Sequence, residues 1–241
     1  MSVIVVTGTD TGVGKTVVTA ALATLARARG ASVAVVKPAQ TGVKAGEPGD
    51  LDDVRRMAGI TDLHEFARFP DPLSPAAAAR QAGVPALSLV EATERIQALD
   101  RQLILVEGAG GLLVRFDEDG STLADLARWL GASVVVVARP DLGTLNHTAL
   151  TLEAMANRGV QPAGIVIGSW PADPDLAMRC NIRDLETIAS RPLAGALPSG
   201  SGGLDPVEFL LTARQGLSPA LGGVFDAATF RDTYAPHKET K

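Results

Sequence analysis

The chain carries one cysteine, Cys180, among its 241 residues, so no intramolecular disulfide can form. Aromatic residues are also scarce, at 4%, against 46% hydrophobic residues in all. A core must therefore be assembled mainly from Val, Leu, Ile and Ala, which suits buried parallel strands covered by helices. No apolar run approaches the ~20 residues needed to span a bilayer. The amino terminus enters an apolar stretch directly, without the basic flank or small-residue cleavage site of a targeting segment. Cationic clustering is absent too: 22 Lys and Arg face 27 Asp and Glu, a net charge of −5, with no basic block long enough to follow a polynucleotide. These absences argue against nucleic acid and membranes as partners and lead us to expect a soluble protein of a reducing cytoplasm. No internal repeat or sustained low-complexity region is evident.

What is present is an alternation of two patterns. Four apolar runs read as fully buried strands, SVIVVT at 2–7, SVAVVK at 32–37, LILVE at 103–107 and SVVVVA at 133–138, and two weaker ones follow at 163–168 and 192–197. Helical patterns run from Lys15 to Arg29, Asp50 to Ala58, Ser88 to Leu99, Thr122 to Leu130 and Thr144 to Arg158. All but the third are followed by a glycine, as a left-handed carboxy-terminal cap requires. Ser88 and Glu91 have the spacing of a capping box. This predicts an α/β fold with a mainly parallel sheet and helices on both faces, in one domain over residues 1–225. Residues 226–241 are expected to form a partly flexible extension. Ligands of such sheets gather at the carboxyl ends of the strands.

The first strand runs into GTDTGVGKT at 8–16. The usual phosphate-loop spacing is glycine, any four residues, then Gly-Lys-Ser/Thr, and here Thr9 occupies the first glycine's place while Gly8 comes one position early. The context is nonetheless that of a phosphate loop: a buried strand, a glycine-rich turn and a helix opening on Lys15 and Thr16. Backbone N–H groups around Gly12, Val13, Gly14, Lys15 and Thr16 would converge on phosphate oxygens at the positive end of the helix dipole. Lys15 would reach the outer phosphates and the Thr16 hydroxyl would ligate Mg²⁺. The fold class is therefore read as P-loop NTPase-like. No Asn-Lys-X-Asp stretch is present to read guanine.

Mg²⁺ requires hard oxygen ligands. Glu107 ends LILVE and enters GAGG, where a glycine turn lets a ligand approach; a solvated charge at a strand end is the plain alternative. Asp50 either caps the helix that it opens or ligates the metal. Asp141, after VVVVARP, is a rival ligand at the next strand end. Lys37 closes a run of buried valines, a costly position unless its ammonium reaches a polar site, and snorkelling to solvent is the other outcome. A second cation near the phosphate loop suits an enzyme whose phosphate acceptor is an anion.

Together, GTDTGVGKT at 8–16, KPAQTG at 37–42, EGAGG at 107–111 and LGTLNH at 142–147 resemble dethiobiotin synthetase, an ATP-dependent cyclo-ligase, over residues 2 to about 200. The resemblance implies that 7,8-diaminononanoate takes up CO₂ as a carbamate, that a nucleoside triphosphate phosphorylates the carbamate, and that the second amine closes a cyclic urea. It implies Lys37, Lys15 and Thr11 as catalytic residues and Thr16, Asp50 and Glu107 as Mg²⁺ ligands. Nucleotide contacts extend from Gly12 to Val17 and over Glu107, Gly108, Ala109 and Gly110. Thr11, Lys15, Lys37, Thr41 and Gly111 lie against the diamine. The turn of Gly143, Thr144, Leu145 and Asn146 holds the substrate's distant carboxylate from the other subunit of a homodimer. His147 is assigned to a helix surface or interface and Cys180 to a helix. Many family members place an asparagine at the end of the AGIVIG strand, where this chain has Gly168 and Ser169. Base recognition is therefore expected from Gly168, Ser169, Pro198, Ser199 and Gly200, with broad nucleotide use. A partitioning-type regulatory ATPase and a cobyrinate diamide synthetase-like amide ligase are the competing readings.

Overall fold

A computed structural model describes residues 1–236. The last five residues, the HKETK expected to form a loose tail, lie outside the described residues. Seven strands, β1 (Ser2–Gly8), β2 (Val33–Thr41), β3 (Leu63–Phe69), β4 (Leu103–Gly111), β5 (Ser133–Ala138), β6 (Pro162–Trp170) and β7 (Gly195–Pro198), form one sheet in the order β3-β2-β4-β1-β5-β6-β7. Every pairing is parallel.

The helices are α1 (Lys15–Ala28), α2 (Asp50–Ala58), α3 (Pro75–Ala82), α4 (Leu89–Gln97), α5 (Leu123–Trp129), α6 (Thr144–Asn157), α7 (Leu176–Ala189), α8 (Pro206–Gly216) and α9 (Ala227–Tyr234). Alternate side chains of each central strand enter opposite cores. Val5, Val134 and Val136 join the core beneath α3 to α7, whereas Val6, Val135 and Val137 join the one beneath α1, α2 and α8. Small aliphatic residues dominate both, as the scarcity of aromatics requires. β1 and β4 are neighbours, and the connection from β1 runs to β2 on one side while that from β4 runs to β5 on the other, so the crossovers diverge there and open a crevice at the carboxyl ends of the two strands.

Two differences from the sequence expectations bear on the site. β2 and β4 each continue four residues beyond Lys37 and Glu107, which lie within strands and not at their ends. The β2–β4 ladder nevertheless stops at Val36 opposite Val106, since Pro38 has no N–H to continue it. The two strands part just where Lys37 and Glu107 follow, making room for their side chains. The other difference is β3, which the apolar pattern does not reveal. It is an edge strand of sequence LHEFARF, half-buried along most of its length, and its charges Glu65 and Arg68 pair with each other at 2.7 Å. Charged residues are normal on an edge and erase the hydrophobic signal there.

Further along, α3, α7, α8 and α9 also go beyond the expected helices, and the strand expected at 192–197 is displaced to Gly195–Pro198, after Pro192. Cys180 lies on α7, as expected, and is exposed. The extension from residue 226 includes a helix, α9, started by the Asp226 side chain accepting the Thr229 N–H at 2.6 Å.

Candidate active site

The loop between β1 and α1 resolves its irregular spacing through Gly8. A Cβ at Gly8 would stand 2.6 Å from the Asp10 carbonyl oxygen and 3.1 Å from Lys15 Nζ, so the position admits only glycine while the chain keeps this course. In the turn that follows, Asp10 Oδ1 accepts the Thr11 N–H at 2.7 Å. Gly14, with φ of 97°, packs against the end of β6: a Cβ there would stand 2.8 Å from the Gly168 carbonyl oxygen. Lys15 folds back and donates to the Asp10 carbonyl at 3.0 Å. Burial, then the charge of Lys37, pulls the Lys15 pKa down to about 8.

Beside this loop the structure gathers a buried cluster of charge. Lys37 Nζ lies 2.5 Å from Asp50 Oδ2 and 2.8 Å from Glu107 Oε1, and donates to the Gly108 carbonyl at 3.1 Å. Thr16 Oγ1 donates to Glu107 Oε1 at 2.9 Å. Lys37 does not snorkel to solvent; its side chain is 4% exposed and that of Glu107 is fully buried. Burial alone would lower the Lys37 pKa, but the two carboxylates outweigh it and hold the ammonium above its ordinary value. Burial raises the Glu107 carboxyl against the pull of Lys37, whereas for the less buried Asp50 the lysine prevails and the carboxyl is held low.

Asp50 owes its position to Gln40, whose side-chain oxygen accepts the Asp50 N–H at 2.9 Å. The helix α2 is capped instead by Asp52, which accepts the Gly49 N–H at 2.9 Å, so Asp50 is left free for the cluster. Glu107 Oε2 is buried with no hydrogen-bond partner among the described residues. An orphaned carboxylate oxygen beside Thr16 and Asp50 fits the hard-oxygen set that Mg²⁺ requires. No group of three His, Cys, Asp or Glu among the described residues forms a ready-made metal cage, so phosphate oxygens and water would have to complete the coordination.

These groups line a cavity of about 740 Å³ together with Thr11, Gly12, Gly14, Val17, Thr41, Ala109 and Gly110. Gly111 lies outside it, paired with Gly8 in the sheet, and lines a smaller neighbouring hollow with Asp10 and His147. The cavity wall also includes Pro72, Leu73 and Ser74 from the β3–α3 loop and Pro75 at the start of α3, which sequence reasoning missed. The signal was there in PDPLSP, three prolines around a single leucine. Gln40 was missed as well, inside a motif already singled out.

Gly168, Ser169, Pro198, Ser199 and Gly200 do not line the cavity. They sit at the tips of β6 and β7, with Gly168 against Gly14 and the Ser169 and Ser199 hydroxyls 2.7 Å apart. Asp141 does not join the cluster; its carbonyl accepts from the Thr144 N–H at 3.2 Å. The first turn of α6 lies away from this chain's own cavity. There Gly143 and Asn146 are exposed, Leu145 is partly buried and Thr144 is fully buried, so the Thr144 side chain offers nothing to a ligand.

A family model described as an AAA domain matches residues 2–202. An ATP-dependent dethiobiotin synthetase BioD of Parafrankia sp. (strain EAN1pec) is 65% identical over 98% of this chain and 100% of its own length. The corresponding protein of Frankia casuarinae is 63% identical over 97% of this chain and 99% of its own. This chain belongs to the dethiobiotin synthetase family. Its fold extends beyond that family: the cell division ATPase MinD of Pyrococcus furiosus superposes with a TM-score of 0.56 at 17% identity, covering 92% of this chain and 96% of its own. A ParA family ATPase of Chlorobium tepidum gives 0.52 at 16% identity, covering 97% and 98%. At such identities the likeness is one of fold alone.

Proposed function

We propose that this chain is an ATP-dependent dethiobiotin synthetase, which closes a cyclic urea from 7,8-diaminononanoate and CO₂ at the expense of a nucleoside triphosphate. The observation that carries the reading is the buried Lys37–Asp50–Glu107 cluster opening on the same cavity as Lys15 and Thr16. Two converging cations suit the transfer of a phosphoryl group to an acceptor that is itself an anion.

One amine of the substrate takes up CO₂ and loses a proton, giving a carbamate. Lys37 and Lys15 neutralise the carbamate and the transferring phosphoryl group, so that two anions can approach in line. A carbamate oxygen bonds to the γ-phosphorus as the bond to the nucleoside diphosphate breaks. The second amine then attacks the carbamoyl carbon, phosphate leaves, and the urea ring closes with loss of a proton. Thr16, Asp50 and Glu107 would hold Mg²⁺, whose chemistry there is to draw off phosphate charge. Thr11, Thr41 and Gly111 would position the diamine. Leu145 and Asn146, whose N–H groups find no acceptor among the described hydrogen bonds, would take the distant carboxylate from a second subunit.

The direct test is fixation of labelled bicarbonate into an acid-stable product, with Mg²⁺ and nucleotide, in the presence and absence of the diamine. Label fixed only when both substrates are present supports the ligase. Nucleotide hydrolysis without fixed label would leave a P-loop ATPase and sink the assignment.

A further inference from the structure

The chain has six Phe, two Trp and one Tyr, and four of these rings are packed into one cluster. Trp170, the last residue of β6, meets Phe230 edge-on at 5.0 Å between centroids and Tyr234 at 5.3 Å; Phe225 lies 5.3 Å from Phe230. Aromatic pairs in this geometry contribute beyond the area they bury. α9 supplies Phe230 and Tyr234 and is fastened separately to α7. Arg231 pairs with Glu186 at 2.8 Å, and Arg179 donates to the Tyr234 carbonyl at 2.8 Å. A helix of eight residues has been held at one spot by both packing and charge.

The backbone beneath the indole leads straight to the nucleotide loop. The Trp170 carbonyl accepts the Ser199 N–H at 2.7 Å, which joins the tips of β6 and β7. Two residues before Trp170, Gly168 presses on the loop: a Cβ there would collide with the Val13 carbonyl oxygen. On the far side, Gly202 follows the Ser199 turn and faces the Val17 side chain. The backbone of the β6 tip thus joins Trp170 to Ser199 and Gly168 to Val13 and Gly14, and the turn after Ser199 brings Gly202 to Val17. Trp170 is 5% exposed, and its indole N–H has no partner among the described residues. No hydrogen bond of the indole fixes the ring, so its placement depends on the rings of α9.

We infer that α9 is a positioning element for nucleotide binding, with Phe230 and Tyr234 setting Trp170 so that the β6 and β7 tips hold the phosphate loop in its binding conformation. The inference rests on the nucleotide reading of that loop and not on the acceptor chemistry. Neither ring touches the cavity, so both are positioning residues.

The test uses the full chain and two readouts. In steady-state assays, Phe230→Ala is expected to raise the KM for the triphosphate about tenfold while kcat and the KM for the diamine stay within about twofold, as loss of uniform binding requires. Phe230→Leu, which keeps bulk but no ring, should raise it about threefold, and Tyr234→Phe, which keeps the ring, should leave it unchanged. Should Phe230→Ala fail to fold, the Phe230→Leu shift decides. In the second readout, Trp129→Phe leaves Trp170 as the sole indole, and a non-hydrolysable triphosphate analogue with Mg²⁺ is expected to shift its emission. That shift should need a higher analogue concentration in Phe230→Leu. A folded Phe230 variant with reduced Tm and unchanged nucleotide KM overturns the inference, as does an equal rise in the diamine KM or a silent Trp170. Because analogue binding is read without turnover, a chain that binds nucleotide and fixes no carbon would refute the proposed activity and leave this inference standing.

Discussion

The charged side of the cavity and the β6–β7 tips beside it are built from different materials. On the first side Lys15, Lys37, Asp50 and Glu107 are drawn together from α1, β2, α2 and β4, and each is fixed by an opposite charge or a carbonyl at 2.5 to 3.1 Å. On the second side there is no charge: Gly168, Ser169 and Ser199 present backbone and hydroxyls, held in place by the packing of Trp170. A paired charge is fixed by a partner and fails abruptly when the partner is removed, because the survivor stays buried. A packed tip is fixed by shape and yields by degrees. The charged side should thus set whether the reaction occurs, and the packed side how tightly the nucleotide is held.

The largest effect expected is at Lys37. Lys37→Gln should lower turnover by about a thousandfold or more, roughly 4 kcal/mol of transition-state stabilisation. It should also lower stability by about 3–5 kcal/mol, because Glu107 is left buried without its cation. Thermal melting should accordingly fall by about 10 °C. The sharper test is the pair Lys37→Met with Glu107→Gln, which removes both charges: melting is expected to recover while turnover does not. If the double variant stays as unstable as the single one, the cluster is not organised by the pairing of these charges.

A Cβ at Gly168 probes the other side. Gly168→Ala must displace the Val13 carbonyl, and overpacking of this kind costs about 1–3 kcal/mol. The nucleotide KM should rise about ten- to a hundredfold, with kcat affected less. A fall in kcat as large as that of Lys37→Gln would erase the distinction between the two sides.

The same contrast governs what the sequence made legible. Lys37 and Glu107 could be named in advance because a charge closing an apolar run is conspicuous and has few physical outcomes; Lys15 and Thr16 were legible from the Gly-Lys-Thr ending of the loop, whereas spacing left Asp50 between cap and ligand and only the family resemblance favoured the ligand. The parallel sheet was legible for a related reason, since buried strands are written as unbroken apolar runs. β3 was not, because an edge strand keeps its charges and the pattern dissolves. Gln40 was hidden by acting through a neighbour: nothing in its type says that it holds the Asp50 N–H. The Trp170 cluster was invisible because α9 lies some sixty residues from β6, and propensity alone does not tell a packed terminal helix from a loose extension.

The smallest effect concerns the base. The Ser169 and Ser199 hydroxyls are 2.7 Å apart and either can donate, so the pair can turn a donor or an acceptor towards what lies above it. If these tips face the base, amino and keto edges are accommodated alike, and kcat/KM for the triphosphates of the four common bases should agree within about tenfold. Ser199→Ala removes one rotor and leaves the other, so its effect on any of them should stay within about threefold. A hundredfold preference for one base, about 2.7 kcal/mol, would require a group fixed as donor or acceptor. No such side chain has been identified at these tips, and a preference of that size would place base recognition elsewhere on the cavity wall.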